Sequence, residues 1–213
     1  MLVSLFDLDH TLLNANSSYR FGAYLFRNKT LSLTSMLYLV SCYGWHKFGK
    51  MSITELHHKV FKKVFSGYPL DKLNLQVESF LDQHLQEMLY QPALARLRSA
   101  QQCGHFTAIL SSSPHFLVEP IAKRLQVTEW LATHYEIDKD RRLCKISHIM
   151  DGFQKAIYLS DLKDRLSVSQ QNVIAYSDSD LDLHFLKSAG KAVGVNPNKT
   201  LRQICQENDW EII

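Results

Sequence analysis

Cysteine is scarce in this 213-residue chain and poorly placed for cross-linking. Cys42, Cys103, Cys144 and Cys205 lie far apart and form no Cys-x-x-Cys pair. Neither a zinc framework nor a disulfide scaffold is expected, and reduced thiols in a cytoplasmic protein are the default. The ten histidines show no His-x-x-x-His spacing, so His46, His57 and His58 are read as surface residues rather than ligands. Charge of one sign is missing too. The 24 Lys and Arg against 21 Asp and Glu leave a net +3, spread along the chain, which is too weak and dispersed to argue for a nucleic-acid partner. No hydrophobic run reaches the roughly 18 residues of a membrane span. Residues 30–45 come nearest, with no charged side chain, but Ser, Thr and Gly dilute them. They read as a buried or semi-buried helical hairpin, with contact to a lipid surface or a partner protein as the alternative. Asp7 and Asp9 interrupt the apolar start almost at once, so no signal peptide is expected.

What is present is an ordinary globular composition, 46% hydrophobic with 8 Gly and 5 Pro. Such a chain can bury a sizeable core without staples. The apolar run 2–6 ends in acidic residues and reads as a buried parallel strand that reaches a site at its C-terminal end. From 17 to 89 the pattern is helical, punctuated at Ser66-Gly67-Tyr68-Pro69. Thereafter helices are expected over 92–102, closed by Gly104, and over 151–165, 179–189 and 199–207. A further helix is opened by Ser111-Ser112-Ser113-Pro114 and runs to about 125, with Ser113 as its cap candidate. Strands are expected over 106–110, 172–176 and 192–195. The alternation predicts an α/β fold, a Rossmann-like parallel sheet with helices on both faces, interrupted by an inserted all-helical unit. The expected division is a core of 1–16 and 90–213 and a helical cap of 17–89.

In such a sheet, loops at the carboxyl ends of the strands carry the ligand site. Asp7 and Asp9, Ser111, and Asp178 and Asp182 all fall there, and Lys155 near a helix start can project toward the same edge. Carboxylates, a hydroxyl and an ammonium so gathered suit magnesium, which favours one or two carboxylates with water and substrate phosphate. The Asp-x-Asp spacing lets one carboxylate attack phosphorus while the other exchanges a proton with the leaving oxygen.

These residues resemble the haloacid dehalogenase superfamily. Asp7, Asp9 and Thr11 match its first motif, Ser111 its second, Lys155 its third, and Asp178-Ser179-Asp180-Leu181-Asp182 its fourth. Four motifs in order span nearly the whole chain. The helical unit directly after the first motif, with Ser-x-Ser-Pro at the second, is similar to the phosphoserine phosphatase-like branch, subfamily IB, with its C1-type cap. Phe116-Leu117-Val118-Glu119-Pro120-Ile121-Ala122 and Val195-Asn196-Pro197-Asn198-Lys199 look like bacterial members of that branch, among them relatives that act on phosphatidylglycerophosphate.

The resemblance implies a magnesium-dependent phosphatase in which Asp7 forms an aspartyl-phosphate and Asp9 is acid and then base. Ser111 and Lys155 would hold the phosphate. Magnesium would be held by Asp7, the main-chain carbonyl of Asp9 and Asp178, with Asp182 completing the site or orienting it. Three departures stand out: Ser177 replaces the usual Gly of the fourth motif, His10 stands where Gly or Ser is common, and Asn16 takes the place of a Glu that holds the ammonium of phosphoserine. Phosphoserine is therefore a weak choice of substrate. Asn16, Tyr19 and Arg20 could face the substrate, a phosphorylated small metabolite or lipid head group. Two alternatives remain: phosphotransfer to an alcohol acceptor, and a non-catalytic regulatory protein on the same scaffold.

Overall fold

The computed structural model describes residues 1–213. Seven strands form one sheet in the order β4-β3-β2-β1-β5-β6-β7. They are β1 (Val3–Phe6), β2 (Phe106–Pro114), β3 (Glu129–Ile137), β4 (Leu143–His148), β5 (Val173–Ser177), β6 (Lys191–Gly194) and β7 (Glu211–Ile212). All neighbours are parallel except β3 and β4. β1 is central, with Phe6 aligned between Ile109 of β2 and Tyr176 of β5. The chain leaves β1 for β2 on one side and reaches β5 on the other only later, so the end of β1 lies at the switch point of the sheet, where such folds bind ligands.

Strand alternation divides the core between the two faces. Val3 and Leu5, Ala108 and Leu110, and Val173 and Ala175 pack on one side. The helices there are α7 (Gly152–Leu166), α8 (Leu183–Lys187) and α9 (Lys199–Glu207). Phe6, Ile109 and Tyr176 face the other side, toward α5 (Gln91–Gln102) and α6 (His115–Leu125). Phe6 and Tyr176 stack with ring centroids 4.3 Å apart. The expected α/β architecture is present. The β3–β4 hairpin and the short β7 were not foreseen, and β2 runs on through Pro114 rather than ending at 110.

The segment after β1 is helical: α1 (Ser17–Arg27), α2 (Leu33–Lys47), α3 (Ile53–Val60) continued by the wider turn Phe61–Phe65, and α4 (Leu70–Met88). Local chemistry sets the starts. Asn16 caps α1 by accepting from Tyr19 N–H, Ser32 caps α2, and Ser52 and Glu55 form a reciprocal capping box at α3. Where the segment leaves and rejoins the sheet, Asn14 N–H donates to Met88 O at 2.8 Å and Tyr90 N–H to Leu12 O at 2.9 Å. At its far end the 67–70 loop bonds to the β3–β4 hairpin: Gly67 N–H donates to Leu143 O, and Leu143 N–H to Tyr68 O.

Residues 30–45, expected as a buried or semi-buried helical hairpin, instead run into the single helix α2, which is half-buried at Met36, Leu39 and Tyr43. Of its residues only Cys42 is fully buried, while Leu33, Leu37, Val40 and Trp45, and Phe48 just after it, are exposed. No helix is long and apolar enough to cross a membrane. All four cysteines are free thiols.

Candidate active site

Asp7 follows the last residue of β1, and its N–H continues the ladder by donating to Tyr176 O at 2.9 Å. The carboxylate is therefore fixed at the sheet edge, and it is buried. Beyond it the chain turns tightly through 8–12, with His10 in the left-handed region at φ 61°. That conformation explains why glycine suits position 10.

Lys155 is the centre of the charge arrangement. It lies one turn into α7, 2% exposed. Its Nζ donates to Asp7 Oδ1 at 2.6 Å and to Asp182 Oδ2 at 2.7 Å. Asp182 is held in turn by Ser177 Oγ at 2.7 Å. Ser177, which stands in place of the usual glycine, thus contributes a hydroxyl to the network. Thr11 Oγ1 lies 3.2 Å from Asp7 Oδ2 and 3.3 Å from Asp178 Oδ1, between the two carboxylates. α7 reaches this loop because Gly152 has no side chain: a β-carbon there would stand 2.1 Å from Leu181 O.

The electrostatics follow from burial. Desolvation pushes the Asp7 carboxyl up to about 8; Lys155 opposes the shift, and Asp182 and Asp178 add to it. Asp178 is pushed up to about 6, again chiefly by burial. Burial disfavours charge on Lys155, yet the neighbouring Asp182 and Asp7 outweigh it and hold its ammonium above the ordinary lysine range. Asp7, Asp178 and Asp182 face a single ammonium, so the cluster carries more negative charge than Lys155 can balance. Hard oxygen donors with uncompensated negative charge fit a divalent cation such as magnesium. No group of three His, Cys, Asp or Glu side chains is arranged to hold a metal ion by itself.

Asp9 is buried and engaged at both oxygens. Ser17 N–H, in the first turn of α1, donates to Oδ1 at 2.6 Å, and Ser113 Oγ donates to Oδ2 at 2.5 Å. Ser113 was expected to cap α6. Pro114 occupies that cap position, and Ser113 instead links Asp9 with Ser18 Oγ at 2.8 Å. Ser111 is buried, and its Oγ accepts from Ser113 N–H at 3.1 Å; Ser112 and Ser113, not Ser111, line the cavity above the site.

That cavity has a volume of about 990 Å³ and is bounded by Asp7, Asp9, Lys155, Asp178 and Asp182 at one end and by the helical segment at the other. Asn16 and Tyr19 line it, although the side-chain oxygen of Asn16 is occupied as the α1 cap. Arg20 does not line it; its guanidinium pairs with Glu87 at 2.5 Å. His46 and His57 were expected at the surface. Both line the cavity, and His57 is buried with Nδ1 3.0 Å from Tyr135 Oη. Ser17, Ser113 and Gly152 went unrecognised in the sequence; only the Ser-x-Ser-Pro pattern held a hint of Ser113.

A parallel sheet with a carboxylate pair at its switch point, backed by a buried lysine and a second acidic loop, defines a phosphoryl-transfer hydrolase. The chain belongs to the haloacid dehalogenase-like hydrolases, whose family model matches residues 4–187. Several of its relatives are named as phosphatases. It is 26% identical to a phosphoserine phosphatase of Mycobacterium tuberculosis over 97% of this chain and 68% of that protein. It is 22% identical to a histidinol-phosphatase of Neisseria meningitidis over 99% and 97%. A solved structure of a Bordetella pertussis protein of unknown function superposes with a TM-score of 0.88 at 22% identity, covering 99% of this chain and 97% of that one.

Proposed function

We propose that the protein hydrolyses a phosphomonoester, of a small metabolite or a lipid head group, through a phosphorylated Asp7, with residues 17–89 acting as a cap over a core of 1–16 and 90–213. The observation that carries this reading is the Asp7–Lys155–Asp182 chain at 2.6 and 2.7 Å. It couples a carboxylate at the end of β1 to a fixed ammonium in a buried site open to the cavity. Asp7 attacks phosphorus, forming an acyl-phosphate bond as the ester P–O bond breaks. Asp9 gives its proton to the departing oxygen, then accepts one from the water that cleaves the acyl phosphate, releasing inorganic phosphate and restoring Asp7. Lys155 holds the phosphoryl oxygens, together with Ser111, which lies beyond the β2 residue paired with Phe6. Asp7, the main-chain carbonyl of Asp9 and Asp178 would hold magnesium, oriented by Asp182. When bound, the ion supplies positive charge that offsets the carboxylates and the transferring group.

The test is hydrolysis of p-nitrophenyl phosphate with and without magnesium. The expected result is turnover by the wild type only with the metal, none above background by Asp7→Asn, and a loss of about 10²- to 10⁴-fold in Asp9→Asn. Equal rates for wild type and Asp7→Asn would end the reading.

A further inference from the structure

The phosphoryl site occupies only one end of the cavity, and the other end is of a different chemical kind. All the acids on its wall, Asp7, Asp9, Asp151, Asp178, Asp180 and Asp182, come from loops of the sheet. From the helical segment the only formally charged side chain on the wall is Lys47, and no arginine or glutamate reaches it. The imidazole of His57, on the same wall, is pushed down to about 4 by burial and is neutral at physiological pH. Ser18, Tyr19, His46 and Ser52 add polar groups, and most of the remaining surface is apolar. α2 contributes Met36, Leu39 and Tyr43, at the three- and four-residue spacing of one helix face. α3 and its continuation add Leu56, Val60 and Val64, and Phe21, Leu25 and Phe116 close the space from α1 and α6.

Of a zwitterionic amino-acid ester, the carboxylate would find only Lys47 on this wall and the ammonium no acid at all, a cost of several kcal/mol for a buried charge left unpaired. An alkyl chain would instead exchange water for a wall of matching kind, and at about 990 Å³ the cavity stands at the large end of small-ligand sites. Resting on the phosphatase reading above, we propose that the substrate is an amphiphilic phosphomonoester, with its phosphate at Asp7 and its long apolar chain lying along α2 and α3. Hydrolysis of it yields inorganic phosphate and the free long-chain alcohol.

Such a substrate can arrive as a dissolved monomer or from a lipid surface. The outer face of α2 makes the second source worth a separate arm. Leu33, Leu37, Val40 and Phe48 are exposed along it, and Lys59 Nζ stands 5.8 Å from the exposed Trp45 ring. Between 17 and 69 there are eight lysines and arginines against one acid, Glu55.

The experiment measures kcat/KM for n-alkyl phosphates from ethyl to decyl, kept below their micellar concentrations, beside p-nitrophenyl phosphate. Each methylene that becomes buried should raise kcat/KM about fourfold until the cavity is filled. Leu39→Trp and Leu56→Gln, each checked for an intact melting transition, should lower the decyl-to-ethyl ratio at least tenfold. The decyl ester is also offered in anionic phosphatidylglycerol vesicles and in neutral phosphatidylcholine vesicles. Faster turnover on the anionic ones assigns the source to a charged membrane, and equal or slower turnover assigns it to the monomer. Hydrolysis of the aryl phosphate with a flat alkyl series overturns this inference and leaves the phosphatase reading intact. If the wild type hydrolyses nothing, the phosphatase reading fails. Calorimetric affinity of n-alkylphosphonates then still decides the chain pocket, since affinity that does not rise with length overturns it.

Discussion

Gly152 is the residue on which the geometry around Lys155 turns. A β-carbon there would stand 2.1 Å from Leu181 O and 3.1 Å from Asp182 Cα, and backbone on both sides gives little room to yield. Gly152→Ala should push α7 from the 178–182 loop and lengthen the Lys155–Asp182 contact. The expected outcome is a fall in kcat/KM of at least tenfold with a lowered melting temperature. Gly44, in the middle of α2, has nothing within 4 Å of its would-be β-carbon; Gly44→Ala should instead gain about 0.5–1 kcal/mol from helix propensity. Unchanged kinetics in Gly152→Ala would refute the role given to that close approach. Asp7, Asp9, Lys155, Asp178 and Asp182 were legible in the sequence because each sits where a strand stops or a helix starts. Gly152 was not, since the surface it must approach lies about thirty residues further along the chain. Arg20 misled for the opposite reason: its nearness to Asp7 in sequence is undone by α1, which turns it toward Glu87.

At the scale of elements, α3 is fastened to β3 through His57 and Tyr135, whose rings meet edge to face at 6.2 Å. Burial pushes the His57 imidazole down to about 4. The unfolded chain therefore takes up a proton near pH 6.5 that the native protein refuses until about pH 4. Stability from this group is whole above pH 6.5 and drains away as pH falls toward 4, on the order of 3 kcal/mol in all. Urea midpoints at pH 7 and pH 4.5 should drop further in the wild type than in His57→Gln, which retains a polar side chain but cannot titrate. The carboxylates contribute alike to both proteins and cancel in the difference; parallel slopes would remove His57 from the account. The β3–β4 hairpin that supplies Tyr135 was invisible in the sequence. β4 is the edge strand of the sheet and β3 its neighbour, and Glu129, His134, Glu136 and Lys145 break any clean alternation along them. The helices of 17–89 were legible because their apolar faces repeat at helical spacing.

Taken whole, the helical segment and the sheet share one core. Phe21, Leu73, Val77 and Phe80 belong to the same buried cluster as Phe6, Leu97, Ile109 and Phe116. Arg124 of α6 pairs with Glu78 and Asp82 of α4 across the boundary. The two parts should accordingly unfold in a single transition, with calorimetric and van't Hoff enthalpies equal. A separate low-temperature peak for the helices would contradict the shared core. The sequence reading placed the division at 16/17 and 89/90, yet it could not show that the inserted helices share the core of the sheet, because periodicity reveals an apolar face and not the partner it meets. The helical segment also reaches the site itself, because α1 donates the Ser17 N–H to Asp9. If Asp9 is the proton donor, as proposed, the helix above the cavity also holds the acid that works inside it. A shift of α1 would remove that N–H from the carboxylate, so the seating of the helix and the proton affinity of Asp9 would be tied together.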